Sequence, residues 1–262
     1  KLRNCAVKTA ERLLARNVDA YVFVGRSEIE DANLLGLPPE RFHLVENGLP
    51  DDYCATLWEP AVARHTLEIA PDTIALGVPC RLAQQKGLDV FLNAFVLVAD
   101  KFPAVQVLFC GDGPERGNLQ RQAAGLGLAD RVRFLGTVPD LAKKLTAFDL
   151  ALLPSFYEGL SYVLLECLGS AVPLLVSDIT ANIPRPEFRE CLETFRVGDP
   201  QDLAMQLEHC LENLEQMHGK AKIGAELIRS EFTLSRQVDK LALLYKQLAR
   251  LGAQDGGETA EL

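Results

Sequence analysis

The segment DLALLPSFYEGLSYVLLECLGSAVPLLVSD, residues 149–178, contains two short apolar runs with a helical pattern between them. The runs DLALLPS (149–155) and VPLLVSD (172–178) are almost continuously apolar, and LSYVLLECLG (160–169) is long enough for a helix. Strands that are apolar on both faces are typical of parallel sheets covered by helices on each side. The segment therefore predicts a strand–helix–strand unit with parallel strands.

The same alternation extends through most of the chain. Short apolar runs that predict further strands lie at 19–25, 41–46, 73–79, 105–111 and 131–136. Helical patterns separate nearly all of these strands, so we expect an α/β protein with a doubly wound, mostly parallel, Rossmann-like sheet. Ligands of such folds bind at the carboxyl ends of the strands, which directs attention to the loops after residues 79, 110, 136 and 154.

The two ends of the chain differ from the middle. Residues 3–17 predict an amphipathic helix, and residues 200 to about 250 carry helical patterns without a strand. The sequence GAQDGGETAEL at the end is Gly-rich and acidic, and we expect a frayed tail. Because the chain starts at Lys1 without a methionine, we expect a fragment or a processed product.

Composition excludes several classes of protein. A hydrophobic content of 48% with 24% charged residues indicates a globular chain, and the apolar runs are too short to cross a bilayer. The formal charge of -9 argues against a general nucleic-acid binder, because phosphate backbones require clustered Lys and Arg. The seven cysteines include no Cys-x-x-Cys pair, which predicts reduced thiols in a cytoplasmic protein without a signal peptide.

Two glutamates flank the start of the predicted helix 160–169. Glu158 follows the strand at the edge where ligands bind, and Gly159 permits a tight turn into the helix, whose first amides can bind an anion. Glu166 lies between Leu165 and Cys167, where a carboxylate is costly unless something pairs with it; a pair of ligand hydroxyls is one candidate. Alternatively, Glu158 is a solvated capping residue and Glu166 meets an arginine or a backbone amide.

Two cations and a glycine-rich loop lie at the same predicted edge. Arg81 follows the strand 73–79, and Lys86 opens the next helix, so together they suit a diphosphate. The alternative is a surface pair with weak salt bridges. The loop FCGDGPERGNL, which contains Gly111, leaves room for a flat ring to approach the backbone.

Together these motifs resemble the donor-binding half of retaining glycosyltransferases of family 4, which have the GT-B fold. The resemblance covers about residues 20–210 and rests on NGLP (47–50), RLAQQKGLDVFLNAF (81–95), GDGPERGNL (111–119), VRFLGTV (132–138) and PSFYEGLSYVLLEC (154–167), in the family's order and spacing. It implies transfer of a sugar from a UDP or GDP sugar to a sugar or lipid-linked acceptor, with retention of configuration, in polysaccharide or glycoconjugate biosynthesis.

The resemblance also implies roles for individual residues. Glu158 would bind the donor sugar's hydroxyls, Glu166 the ribose, and Arg81 and Lys86 the diphosphate, where they stabilise the leaving group. Glu158, Arg81 and Lys86 are thus the expected catalytic residues. The remaining donor-binding residues are expected to be Gly111, Leu135, Gly159, Leu160 and Ser161. No metal and no other cofactor are expected, because the chain has no Asp-x-Asp motif.

The chain departs from the family pattern in three places. Cys80 and Ala171 stand where glycines are usual, and DITANIPRPEF (178–188) replaces a Gly-Gly loop with a downstream glutamate near the cleft. The resemblance implies that the last change lies where the donor sugar is selected.

The resemblance divides the chain into four parts. We expect the end of an N-terminal acceptor domain with a linker, the nucleotide-sugar domain, C-terminal helices and a tail, at 1–40, 41–215, 216–250 and 251–262. The rest of the N-terminal domain is an expected partner, and peripheral contact with the inner face of the membrane is compatible with a lipid-linked acceptor. The alternatives are a related enzyme such as an epimerase or a phosphorylase, and a non-catalytic donor-binding module.

Overall fold

The centre of the molecule is a six-stranded parallel sheet. The computed structural model describes residues 9–255, and the sheet order is β5-β4-β3-β6-β7-β8. Its strands are β3 (Ile74–Val78), β4 (Val105–Cys110), β5 (Val132–Gly136), β6 (Leu150–Leu153), β7 (Leu174–Ser177) and β8 (Glu193–Phe195). All strands predicted in this region are confirmed. The edge strand β8 was missed, because its three residues, Glu-Thr-Phe, lack an apolar run.

Two further strands form a small sheet of their own. Strands β1 (Tyr21–Phe23) and β2 (Phe42–Leu44) pair in parallel, with helix α2 (Arg26–Leu35) between them. The rings of Phe23 and Phe42 pack edge to face, with centroids 5.1 Å apart. The predicted strand 41–46 therefore exists, but it pairs with β1 and not with the large sheet. The expected domain boundary at residue 41 had placed this strand in the same domain as the large sheet. The domain boundaries themselves stay predictions.

The structure describes only parts of the two predicted ends. Helix α1 is described over residues 9–14 and is followed by a 3-10 turn, Ala15–Asn17; the first part of the predicted helix 3–17 lies outside the described residues. Helix α10 (Leu234–Asp255) extends beyond the expected start of the tail at residue 251, and residues 256–262 lie outside the description.

Helices cover both faces of the large sheet, which confirms the doubly wound fold. The other helices are α3 (Pro60–Thr66), α4 (Leu88–Val98), α5 (Arg116–Gly125), α6 (Leu141–Lys144), α7 (Tyr162–Gly169), α8 (Pro200–Glu212) and α9 (Leu214–Glu231). Side chains of α4, α5 and α8 form one core with Leu150 and Leu152 of β6, whereas α7 packs on the other face with Ala151 and Leu153. Since successive residues of a strand point to opposite faces, each apolar strand contributes to both cores.

The direction of winding reverses between β3 and β6, which are neighbours in the sheet. A crevice forms at such a switch point, at the carboxyl ends of the two strands. Gly87, just before α4, closes one side of it: its φ is +60°, and a Cβ there would lie 2.3 Å from the carbonyl oxygen of Pro154. Only glycine therefore allows the loop after β3 to contact the end of β6.

Most of the predicted thiols are confirmed as free. Cys54, Cys80, Cys110, Cys167, Cys191 and Cys210 form no disulfide, while Cys5 lies outside the described residues. Burial raises the pKa of Cys80 and of Cys110 to about 12. Within residues 9–255, the helices include none that is both long and apolar enough to span a membrane.

Candidate functional site

The loop after β3 carries both predicted cations. Arg81 is exposed, and its guanidinium has no partner among the described residues, whereas Lys86 ends a 3-10 turn, Gln84–Lys86, and is largely buried. The loop is held by the segment after β4, since the amide of Leu82 donates to the carbonyl of Asp112 at 3.0 Å. The two predicted cations are therefore in different environments.

The glycines of the loop after β4 allow a close contact between two backbones. A Cβ at Gly111 would lie 2.0 Å from the carbonyl oxygen of Cys80, and one at Gly113 would lie 2.3 Å from that of Leu82. The predicted room for a flat ring beside this loop stays a prediction, whereas the glycines are required for the backbone contact itself. They hold the Arg81 loop at the edge of the sheet.

Lys86 and Glu158 meet at the switch point. The Lys86 ammonium donates to Oε1 of Glu158, and the two side chains are only 18% and 13% exposed. Ser155 Oγ donates to the same oxygen at 2.7 Å. The structure thus joins a cation and an acid that the sequence assigned to different parts of a ligand, and Glu158 is not a solvated cap.

The amides after Glu158 face no protein acceptor. Helix α7 begins at Tyr162 with Ser161 as its N-cap, and the Ser161 side chain makes no capping bond. Within the described part of the chain, the amides of Gly159, Leu160 and Ser161 donate no hydrogen bond. Unpaired N–H groups at the start of a helix are the kind of donor that can bind an anion.

Glu166 lies in the first turns of α7 and is half-buried. Its carboxylate has no hydrogen bond or ion pair among the described residues, so the alternative of an arginine or amide partner is not observed. Burial raises the pKa of Glu166. An acid in this state can gain from ligand hydroxyls that reach it.

Leu135 lies on β5, an edge strand of the large sheet. It lines a cavity of about 260 Å³ beside β5, together with Arg133, Val138 and Lys144. A larger groove of about 550 Å³ lies between α4 and α8. Neither space is lined by Arg81, Lys86, Glu158 or Glu166.

Two residues that were not predicted, Ser27 and Asn47, hold the loop after β6 in place. Ser27 Oγ donates to the carbonyl of Glu158 at 3.2 Å, and Asn47 Nδ2 donates to that of Leu160 at 2.7 Å. Both come from the segment that contains the small sheet. A partial signal existed for Asn47, which opens the NGLP motif, but nothing in the sequence indicated its partner.

The described residues at this edge form no cluster of potential metal ligands. Across residues 9–255, no group of three or more His, Cys, Asp or Glu side chains could hold a metal ion.

Comparisons with known proteins agree with this architecture. Residues 73–213 match the model of the family described as glycosyl transferases group 1. The chain is 27% identical over 258 residues to alpha-D-kanosaminyltransferase of Streptomyces kanamyceticus, covering 92% of this chain and 64% of that protein. It is 25% identical to the O-antigen biosynthesis glycosyltransferase WclY of Escherichia coli, covering 91% and 61%. The chain therefore spans less than two thirds of the length of these two relatives.

Solved structures share the fold at lower identity. Anabaena HepE in complex with UDP superposes with a TM-score of 0.79 and 19% identity, covering 93% of this chain and 67% of that one. Sucrose-phosphate synthase from Thermosynechococcus elongatus gives a TM-score of 0.79 and 21% identity, with coverage of 93% and 62%.

Proposed function

Because the chain belongs to the glycosyl transferases group 1 family, we propose that it provides the donor site of an enzyme that transfers a sugar from a nucleoside-diphosphate sugar with retention of configuration. The observation that carries the proposal is the Lys86–Glu158 pair at the switch point, close to free amides at the start of α7. The acceptor, a sugar or a lipid-linked sugar, is assigned to a further domain. The free thiols fit a cytoplasmic enzyme.

The diphosphate is assigned to Arg81, Lys86 and the amides of residues 159–161. Arg81 offers a free guanidinium that can bind phosphate oxygens in a fork. Lys86 supplies a second charge once a ligand competes with Glu158 for it. The amides add neutral donors at the positive end of α7.

The two acids are assigned to the two sugars of the donor. Glu166 has a half-buried carboxylate without a partner among residues 9–255, which suits the vicinal hydroxyls of a ribose. In the described part of the protein, Lys86 and Ser155 hold Glu158 through Oε1 and no donor reaches Oε2, so Oε2 can accept a hydroxyl of the transferred sugar. Gly111 and Leu135 are the remaining donor-site residues of the proposal.

The chemistry follows from this assignment. The bond between the anomeric carbon and the β-phosphate oxygen breaks, and Arg81, Lys86 and the amides stabilise the negative charge that develops on the departing diphosphate. The acceptor oxygen forms its bond to the anomeric carbon on the same face, and its proton passes to the departing phosphate. This route requires no separate protein base and no metal.

Titration calorimetry of the chain with UDP and with GDP tests the proposal. We expect one of them to bind, and binding to survive excess EDTA because protein cations neutralise the diphosphate. The variant Arg81→Ala/Lys86→Ala should lose the binding. Lys101→Ala, which removes an exposed lysine paired with Glu208 and Glu212 on α8, is the matched control and should bind like the parent. Binding of neither nucleotide, or loss of binding with EDTA, would contradict the proposal.

A further inference from the structure

Three buried polar side chains lie in series behind Glu158. Ser155, Ser177 and Asn182 are 3%, 0% and 1% exposed. We infer that this polar chain positions the Glu158 carboxylate for the donor sugar, with Asn182 as its anchor; the inference rests on the proposed function. None of the three residues belongs to the donor-binding set assigned above.

The hydrogen bonds of the polar chain run in one direction. Asn182 Nδ2 donates to Ser177 Oγ at 3.1 Å and to the carbonyl of Ser177 at 2.9 Å. Because Ser177 Oγ accepts from the amide, its own proton is free to be donated to the carbonyl of Ser155, at 2.6 Å. Ser155 Oγ then donates its proton to Oε1 of Glu158 at 2.7 Å. The amide of Asn182 therefore determines the orientation of the hydroxyl of Ser177, and Ser177 holds the backbone of Ser155.

This arrangement assigns different roles to the two oxygens of Glu158. Oε1 receives both the Ser155 hydroxyl and the Lys86 ammonium. Within the described residues, Oε2 receives no donor. A carboxylate fixed at one oxygen by two donors presents the other oxygen as the acceptor for a ligand hydroxyl.

Burial makes the polar chain costly unless every member is satisfied. A buried hydroxyl or amide without a partner is destabilising, and apolar residues would fill the same space without that risk. Within the described part of the molecule, no buried side-chain nitrogen or oxygen lacks a hydrogen bond. A fully connected buried network of this kind restricts side chains to one arrangement, which is what an acid that orients a sugar requires.

Asn182 belongs to the loop DITANIPRPEF, which departs from the family pattern. It ends the 3-10 turn Thr180–Asn182, and Arg185 fixes the next part of the loop by donating to both oxygens of Glu46, at 3.0 and 2.5 Å. The Arg185 guanidinium also lies 4.5 Å from the ring centre of Phe232. Arg185 therefore fixes the loop through Glu46, and Asn182 connects it to Glu158 through Ser177 and Ser155.

The test compares bare nucleotide with sugar nucleotide by calorimetry on the 262-residue chain. The probes are UDP with UDP-glucose and GDP with GDP-mannose, and the readout is the ratio of the two dissociation constants within a pair. Ser155→Ala should change the affinity for the bare nucleotide by no more than about twofold. It should weaken the affinity for the sugar nucleotide about fivefold to tenfold, the net value of a typical hydrogen bond. Asn182→Ala should shift the same ratio by about threefold. Ser155→Thr keeps the hydroxyl, so its ratio should equal that of the parent.

Ser170→Ala is the matched control. Ser170 is also a buried serine, and its Oγ lies 2.9 Å from the Tyr53 hydroxyl, outside the polar chain. It should lower the unfolding temperature without changing the ratio. If Ser155→Ala leaves the ratio at the parent value, or shifts it no more than Ser170→Ala does, the inference fails while the proposed function stands. If the parent binds none of the four probes, the proposed function fails and the inference with it.

Discussion

Lys86 and Glu158 are 72 residues apart in sequence and form an ion pair across the crevice between β3 and β6. Each is the other's principal partner, although one is assigned to a diphosphate and the other to a sugar. On the proposed assignment, donor binding has to redistribute this interaction. A bound diphosphate would compete with Glu158 for the Lys86 ammonium, and this competition can be measured.

The first prediction concerns Glu158→Gln. The amide keeps the shape of the side chain but removes the charge that competes with phosphate for Lys86, so the bare nucleotide should bind about twofold to fivefold more tightly. The affinity for the sugar nucleotide should gain less, because the amide at position 158 is a weaker acceptor than the carboxylate for a hydroxyl of the sugar. Calorimetry with both ligands measures the difference. A weaker affinity for the bare nucleotide would show that Lys86 needs Glu158 in order to bind phosphate.

The second prediction separates the two cations. Arg81→Ala and Lys86→Ala should each weaken the affinity for the bare nucleotide about tenfold to a hundredfold, as expected for charge-assisted hydrogen bonds. Lys86→Ala should also lower the free energy of unfolding by about 2 kcal/mol, because it leaves a mostly buried carboxylate without its cation. Arg81→Ala should not, since its guanidinium is exposed and unpaired among the described residues.

Urea unfolding of the two variants, beside calorimetry, makes this measurement. Arg81→Lys should recover only part of the lost affinity, because an ammonium cannot reproduce the guanidinium fork. Equal stability of Arg81→Ala and Lys86→Ala would mean that the ion pair does not stabilise the fold.

The strands of the large sheet could be predicted because their physical signal is local. A run such as LALL in β6 is apolar on both faces whatever its partners are, and only the short β8 lacks this signal. The pairing of β1 with β2 could not be predicted, because a short strand does not indicate which sheet it joins.

The candidate site was predictable only in part for the same reason. Glu158 and Lys86 could be placed at one edge of the sheet from the strand ends alone. Their direct contact, and the bond from Asn47 to Leu160, depend on side-chain positions between segments distant in sequence. Ser155 and Asn182 gave no signal, because a buried polar residue becomes informative only when its partners are known.

The third prediction concerns the dependence of stability on pH. Burial raises the pKa of Glu166 above its ordinary value of 4.5, so the folded state holds this proton at pH values where the unfolded chain has lost it. The free energy of unfolding of the parent therefore falls as pH rises from the ordinary pKa through the raised one. Glu166→Gln has no carboxyl group to ionise at this position, so its free energy of unfolding should exceed that of the parent near neutrality. The difference in free energy should shrink at pH values below the ordinary pKa.

Urea unfolding on both sides of this pH window measures the effect. The exposed Glu226→Gln on α9 is the matched control and should follow the parent at every pH. Glu166→Gln should also bind the nucleotide less tightly, which would show that the buried acid costs stability and serves the ligand. A variant that is less stable near neutrality would indicate a partner for the carboxylate.

The last prediction concerns Asn47, which connects the site to the C-terminal helix. Its Nδ2 donates to the carbonyl of Leu160 at 2.7 Å, and its Oδ1 accepts from Gln237 of α10 at 3.3 Å. The amide of Gly48 donates to Oε1 of Gln237 at 3.0 Å, so α10 holds the segment from which Asn47 reaches the loop. Asn47→Ala should leave a buried carbonyl without its donor and release the amides of residues 159–161 from their orientation towards phosphate.

We therefore expect Asn47→Ala to lower the free energy of unfolding by about 1 to 3 kcal/mol and to weaken the bare nucleotide about threefold to tenfold. Arg131→Met is the matched control, because Arg131 also donates to backbone carbonyls, those of Phe102 and Val105, but it does so just before β5 and not at the ends of β3 and β6. It should cost comparable stability and leave nucleotide affinity unchanged. A general loosening of the fold would weaken binding in both variants. An effect on affinity confined to Asn47→Ala would therefore identify the Asn47–Leu160 bond as part of the donor site. Equal effects in the two variants would mean that Asn47 has only a structural role.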